Sequence, residues 1–287
     1  MRLIIVSGLS GSGKSVALHM LEDIDFYCVD NIPAALLKPF ISHTVRGMGD
    51  TYPRTAVGLD ARNRPNEIET IPALVGELRR SGIGCEVLYL HASDEVLLKR
   101  YAETRRKHPL VTGEVSLREA IACERRLLEP ITIAADLVID TSNMSVHALR
   151  ERIRERIDHR LEGHLSVMFE SFGYKHGIPG DSDFVFDVRS LPNPYWEHAL
   201  RHLTGRDAPV IEYLEGFATV RQMIADLIEF LEQRIKEFAQ ANRSYLTIAV
   251  GCTGGQHRSV YIAEALAQHF RKSYPQVLTR HDSLQKN

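Results

Sequence analysis

The residues with the most specific chemistry stand near the amino end, where Gly8-Leu9-Ser10-Gly11-Ser12-Gly13-Lys14-Ser15 follows the spacing G-x-x-x-x-G-K-[ST]. Each position has a mechanical reason. The glycines let the backbone wrap so that successive N–H groups point inward and hold phosphates. Lys14 reaches toward the β- and γ-phosphates, and the Ser15 hydroxyl is placed to ligate Mg²⁺. A helix starting near Lys14 aims its positive end at the same anion. Glycine-rich loops alone are weak signals, but here an apolar run, Leu3-Ile4-Ile5-Val6, precedes the loop and an amphipathic pattern follows it. The motif points to a purine nucleoside triphosphate bound with Mg²⁺, with Lys14 and Ser15 acting in any hydrolysis.

A metal-bound triphosphate also calls for a carboxylate at a strand end. Asp60, after the apolar run 55–59, is the first candidate to hold Mg²⁺ through water, and Asp30, after 27–29, is its rival. The plain alternative for either is a surface acid closing a strand. Arg105, Arg106, Lys107 and His108 follow a helical stretch and fit a mobile lid that covers the phosphates. They fit equally well a basic helix end that favours its own dipole.

A second anion loop is written in the other half. Cys252 and Arg258 are separated by five residues in Gly251-Cys252-Thr253-Gly254-Gly255-Gln256-His257-Arg258. The loop lies between a strand-like run and a helical one, which is the spacing of the phosphate loop of cysteine phosphatases. Backbone N–H groups would form a nest, Arg258 would clamp an oxyanion bidentately, and His257 adds a donor. Either Cys252 is a low-pKa nucleophile, or the loop only binds a phosphorylated ligand. Gly251 stands where those phosphatases usually carry His, and no acid is placed by sequence, so binding is the preferred reading over covalent work. A plain tight turn is the bland alternative.

The surrounding elements are those such loops need. Short apolar runs at 3–6, 27–29, 55–59, 86–90 and 137–139 read as buried parallel strands. Helical patterns at 14–22, 71–80 and 94–106 alternate with them, giving the rhythm of a doubly wound α/β sheet of the kinase-like P-loop kind. Strands at 165–171, 184–188 and 245–250, with helices at 218–240 and 260–271, make the second half α/β as well. Between them, 145–161 is a helical segment rich in arginine (Arg150, Arg152, Arg154, Arg156, Arg160) that reads as a solvated helix laced with ion pairs and ended by Gly163. The expected domains are 1–155, binding nucleotide, and 163–287, binding an anion.

Composition sets outer bounds. The chain has 287 residues, 44% hydrophobic and 25% charged, with a formal net charge of -2. That suits a two-domain soluble protein and excludes a polycation, so any nucleic-acid contact must come from a local basic patch. Cys28, Cys85, Cys123 and Cys252 are scattered, which argues against a zinc knuckle or disulfide framework and for a reducing cytoplasm. No leader-like segment is read at the start, and no apolar run approaches the ~20 residues that span a membrane.

Several further strings carry a resemblance. They are Phe26-Tyr27-Cys28-Val29-Asp30-Asn31, Asp60-Ala61-Arg62-Asn63, Thr104-Arg105-Arg106 with His108-Pro109-Leu110, and Phe169-Glu170-Ser171-Phe172-Gly173 with Lys175-His176-Gly177. Phe186-Asp187-Val188-Arg189, Leu191-Pro192-Asn193-Pro194 and the Cys252 loop complete the set. Together with the P-loop they resemble, over nearly the whole chain, the RapZ/YvcJ family of bacterial nucleotide-binding proteins. The resemblance implies ATP and GTP binding with weak hydrolysis. It takes Gly8 to Ser15 as the ATP site and Asp60, Ala61, Arg62 and Asn63 as a GTP-associated motif. It implies a carboxyl-terminal domain that senses glucosamine-6-phosphate and binds a small RNA, and a homo-oligomer. His176, Thr253, Gly254, His257 and Arg258 are the implied sugar-phosphate contacts. The tail departs from the family's dense basic cluster, because Asp282 dilutes Arg280 and Lys286.

The leading functional reading is a nucleotide-dependent regulator with slow ATPase and GTPase activity. A small-molecule kinase using the P-loop and the lid arginines is the alternative. An RNA-binding protein with a vestigial P-loop is a third.

Overall fold

Apolar runs flanked by polar strand ends fold in both halves as parallel strands covered by helices. The computed structural model describes residues 1–46, 52–112, 114–158, 164–241 and 243–284, and the chain divides into units 1–159 and 160–287. In the first unit the order is β1 (Arg2–Gly8), α1 (Lys14–Glu22), β2 (Tyr27–Val29), α2 (Ala34–Arg46), β3 (Arg54–Gly58), α3 (Pro65–Ile68), α4 (Ile71–Arg80), β4 (Gly84–His91), α5 (Asp94–Thr104), α6 (Leu117–Leu127), α7 (Glu129–Ile133), β5 (Leu137–Asp140) and α8 (Val146–Ile153).

The sheet runs β2-β3-β1-β4-β5 and every pairing is parallel. β1 is buried along its whole length, as a central strand covered on both faces must be. Leu3, Ile5, Val57 and Val87 of the sheet pack with Leu37, Leu74, Leu128 and Ile131 from the helices. The chain turns upward at Gly8, which sits at φ 144 beside Leu90. A Cβ there would collide with the Leu90 carbonyl oxygen, so only glycine fits this exit into the loop.

The arginine-rich segment is not a solvated helix on all sides. Arg154 and Glu151 form a surface pair at 3.3 Å, and Arg150 reaches Asp23 at 3.4 Å. Arg152 and Arg156, however, are 2% and 1% exposed beside buried Leu149, Ile153 and Ile157. Positions 149, 152, 153, 156 and 157 make one helical face, and α8 packs that face inward. It continues as a π-helical turn over Arg154–Asp158. Arg160 and the expected stop at Gly163 lie outside the described residues.

The second unit contains β6 (Ser166–Gly173), β7 (Phe184–Asp187), α9 (Ala208–Glu215), α10 (Ala218–Gln240), β8 (Tyr245–Cys252), α11 (Arg258–Phe270) and β9 (Val277–His281). Its sheet runs β7-β8-β6-β9, again parallel throughout. The expectations of a parallel sheet in the first half and of α/β structure in the second hold. β9 was not expected from the sequence, which reads as a polar tail there. Arg280 and His281 are each only 6% exposed. His281 Nδ1 lies 2.8 Å from Ser171 Oγ and its Nε2 3.0 Å from Glu264, while Arg280 Nε donates to Asp282 at 3.0 Å and lies 3.7 Å from Glu170. Arg280 and His281 are therefore inward structural groups rather than a basic surface.

Candidate functional site

The loop from Gly8 to Lys14 is held from beneath by groups far away in sequence. Gly11 and Gly13 adopt φ 88 and 107, a left-handed backbone that lets the chain double back before α1 begins at Lys14. Ser12 N–H donates to Leu9 O at 3.0 Å, which closes the turn. Arg100 on α5 donates through Nη1 to Gly11 O at 3.0 Å and to Thr141 Oγ1 at 3.0 Å. Thr141, just past β5, donates to Ser12 O at 2.9 Å. The outward carbonyls are thus tied down by α5 and the β5 exit.

Lys14 is half-buried and its Nζ donates to Gly8 O at 2.6 Å. Loss of water around the ammonium group pulls its pKa below the usual lysine value, while Glu124, Asp60 and Asp30 pull it back up. Glu124 on α6 is fully buried. It accepts Ser10 N–H at 2.9 Å, Ser10 Oγ–H at 2.7 Å and His108 Nε2–H at 3.0 Å. Burial would raise its pKa, but His108, Lys14 and both Ser10 donors hold it below the ordinary carboxylate range.

A cleft of about 630 Å³ opens over this loop, lined by Ser10 to Val16, Arg100, Tyr101, Arg106, Lys107 and Leu149 among others. Arg106 and Lys107 therefore face the phosphate loop. His108 does not belong with them: it is 2% exposed and turned onto Glu124. α5 stops earlier than the sequence pattern suggested, because Arg105 takes a left-handed φ of 51.

The two candidate acids are separated by the structure. Asp60 is 3% exposed and already held by Arg62, whose backbone N–H, Nε and Nη2 lie at 2.9, 3.0 and 2.9 Å. Asn63 completes that turn, donating to Asp60 O at 3.1 Å and accepting Ala34 N–H at 2.6 Å. Asp60, Arg62 and Asn63 line a separate cleft of about 460 Å³ with Asn31, Arg64 and Glu67; Ala61 is buried behind it. Asp30 instead shares a cavity of about 300 Å³ with Ser15, His19, Glu22, Cys28 and Arg106. Among the described residues no group of three or more His, Cys, Asp or Glu could hold a metal by itself. A hydroxyl at Ser15 with one nearby carboxylate fits Mg²⁺, which keeps most of its water and takes its other ligands from phosphate.

In the second unit β8 ends on Cys252 and α11 begins on Arg258. Cys252 is 3% exposed; its sulfur accepts Gly255 N–H at 3.2 Å and lies 3.2 Å from Ser259 Oγ. Arg258 is 5% exposed, and its Nη1 donates to Arg189 O at 2.7 Å and Leu191 O at 2.9 Å. Those carbonyls fix one edge of the guanidinium, so only the other edge is available to an oxyanion. Thr253 Oγ1 lies 3.5 Å from Nη2. Gly254 has open space where a Cβ would stand. His257 is not the extra donor expected: it is buried and its Nε2 bonds to Leu200 O at 3.2 Å. His176 lies in an exposed 3-10 turn after β6. Gly251 cannot be His, because a Cβ there would strike the Phe172 ring and come within 2.6 Å of Tyr174.

Sequence reasoning missed Glu124, Arg100 and Thr141. Glu124 shares the buried face of α6 with Ala120 and Ile121, so an acid within an apolar stripe was the available signal. Thr141 follows a parallel strand at its carboxyl end, where ligand groups collect. Arg100 carries no signal in sequence, since any surface helix has such residues.

The RapZ-like N-terminal domain matches residues 1–160 and the RapZ C-terminal domain residues 165–285. A nucleotide-binding protein of Nitrosococcus oceani is 54% identical over 99% of this chain and 100% of its own length. One from Alkalilimnicola ehrlichii is 53% identical over 99% of each. Among solved structures, shikimate kinase from Bacteroides thetaiotaomicron covers 55% of this chain and 98% of its own, with 12% identity and a TM-score of 0.37. Two domain matches that together span nearly every residue, with full-length relatives at about half identity, establish that the chain belongs to the RapZ family.

Proposed function

We propose that the first unit binds a Mg²⁺–nucleoside triphosphate, ATP or GTP, and hydrolyses it slowly, and that the second unit couples this to a phosphorylated metabolite such as glucosamine-6-phosphate. The observation that carries the reading is Lys14 folded onto Gly8 O at the floor of a cleft that also presents Arg106 and Lys107. Relatives of the same length carry the name nucleotide-binding protein. Ser15 is assigned to Mg²⁺, with Asp30 or Asp60 reaching it through water. Slow turnover follows from the acids around Lys14. Glu124 is occupied by Ser10 and His108 and so does not orient the attacking water, and Asp30 and Asp60 are assigned to the metal's water shell rather than to a base.

The Cys252–Arg258 loop is the assigned phosphoryl site of the second unit. The regulatory role, the small RNA and the homo-oligomer rest on the family resemblance. Arg271 and Lys272 are exposed cations for RNA phosphates, whereas Arg280 faces inward. Calorimetry on the full chain with Mg²⁺–ATP and Mg²⁺–GTP tests the core of this reading. Lys14→Ala is expected to weaken binding by about 10–100-fold, the worth of a hydrogen bond to a charged group. Unchanged affinity in that variant removes the assignment.

A second reading, a small-molecule kinase, is favoured by the cavity that Asp30, His19 and Glu22 share with Ser15. It gives an acceptor a place beside the γ-phosphate. Transfer of labelled γ-phosphate to a metabolite well above hydrolysis would establish it, and label found only in inorganic phosphate would exclude it.

A further inference from the structure

Holding a phosphoryl group needs donors but no sulfur nucleophile, and the second unit has one at the bottom of its anion loop. We propose that this loop is a phosphomonoester hydrolase centre in which Cys252 is the nucleophile and Arg258 holds the phosphoryl oxygens; the proposal rests on the phosphoryl-binding role assigned to the loop above.

Three observations converge. First, the Cys252 sulfur accepts the Gly255 amide at 3.2 Å and lies 3.2 Å from the Ser259 hydroxyl, which donates to it once the sulfur is a thiolate. Both favour the thiolate. Second, Arg258 is anchored through Nη1 by two backbone carbonyls, which presents its opposite edge. On that edge Nε is buried with no hydrogen-bond partner among the described residues, and Nη2 has only the 3.5 Å contact with Thr253. A guanidinium fork with one buried, unsatisfied N–H fits two oxygens of a phosphoryl group. Third, the cysteines differ from one another. Burial pushes Cys28 and Cys85 up to about 12. It pushes Cys252 the same way, but Ser259, the Gly255 amide and the Arg258 charge together hold that thiol below its ordinary value.

The chemistry balances without a cofactor. The Cys252 thiolate attacks phosphorus, forming an S–P bond as the P–O ester bond breaks, and the electron pair leaves on the ester oxygen. Asp187 acts electrostatically on Arg258, but Arg189 holds it as a carboxylate through contacts of 2.7 and 3.0 Å. It therefore brings no proton, and the leaving oxygen takes one from water. A second water attacks phosphorus, the S–P bond breaks, and inorganic phosphate and the thiolate are released, with a proton passing to solvent. Without a placed acid, the substrate class is phosphate esters of weakly basic leaving groups, aryl phosphates before alkyl ones.

The test uses the full chain and 4-nitrophenyl phosphate, following nitrophenolate release and mapping phosphorylated peptides after acid quenching. Release with a phosphoryl group on Cys252 is expected, and Cys252→Ser should reduce release to that of buffer while still binding inorganic phosphate in calorimetry. Release unchanged in Cys252→Ser overturns the nucleophile. Phosphate binding without release by the wild-type chain overturns the covalent step and leaves the binding loop standing; neither binding nor release overturns both. Alkylation of the wild-type chain by iodoacetamide guards against a misfolded variant. Cys252 should react faster than Cys28 and Cys85 at neutral pH and be protected by phosphate, and a Cys252 no faster than those two overturns the proposal.

Discussion

Ser10 and Glu124, 114 residues apart, are joined by two hydrogen bonds, from the Ser10 amide at 2.9 Å and its hydroxyl at 2.7 Å. The tip of the phosphate loop is thus moored to α6 through a fully buried carboxylate. Glu124→Ala leaves the Ser10 amide and His108 without their acceptor, a loss of about 1–3 kcal/mol for unsatisfied buried groups. The variant is expected to melt earlier in thermal unfolding, and calorimetry should show weaker ATP binding although Glu124 touches no nucleotide. Glu124→Gln, which keeps one acceptor, should lose less.

The same carboxylate sets an acid limit. Its folded pKa lies below the ordinary glutamate value, so its contribution is complete above that value and is lost as pH falls through the depressed folded pKa. Thermal melts of wild type and Glu124→Gln should converge as the medium is acidified. A constant gap between them down to low pH would contradict the assignment.

The second unit should weaken earlier on the acid side. Burial lowers His281 despite Glu264 and lowers His257 despite the backbone carbonyls near Leu200. Each is held neutral when folded and gains its proton more readily when unfolded. Stability therefore begins to fall as pH drops through the ordinary histidine value of 6.5 and continues until the folded groups titrate. Hydrogen exchange at pH 7.5 and 5.5 is expected to show protection lost in β8, β9 and α11 before β1 and β4.

Gly13→Ala should be costly for two reasons. Its φ of 107 strains any side chain, and the added carbon would stand 2.7 Å from Leu149 Cδ2. A loss of about 1–3 kcal/mol is expected from the backbone alone. Gly254→Ala, with open space at its Cβ, is the control and should leave the melting temperature close to wild type.

Arg100→Lys keeps the charge but loses the fork that joins Gly11 O to Thr141. Nucleotide affinity should fall by about tenfold and the melting temperature by a few degrees, since such exposed or half-buried bonds are each worth about 1 kcal/mol. An unaltered affinity would show that Arg100 does not shape the loop.

Much of the fold was legible because buried parallel strands announce themselves as apolar runs. Leu3-Ile4-Ile5-Val6 and Tyr245 to Val250 leave little choice. β9 was hidden because Arg280 and His281 are polar, and Ser171, Glu170 and Glu264 on other elements help to make them acceptable inside. The two glycine-rich loops could be read from glycine, lysine and cysteine spacing, since those positions are fixed within one turn of chain. Which donors face the loop could not. Arg258 is aimed by carbonyls at 189 and 191, and His257 is drawn off by Leu200. The glutamate at 124 is held in place by Ser10, more than a hundred residues earlier, and by His108.

The placement of β9 beside β6 also orders events during translation. The first sheet has all five strands by Asp140, but the second lacks its outer strand until Val277–His281 has been made. Until then the nascent β6 presents one row of unpaired amides and carbonyls, the kind of template on which chains stick together. Chaperone dependence and aggregation of prematurely terminated chains should therefore fall on the second unit, while the first is already able to reach its native state.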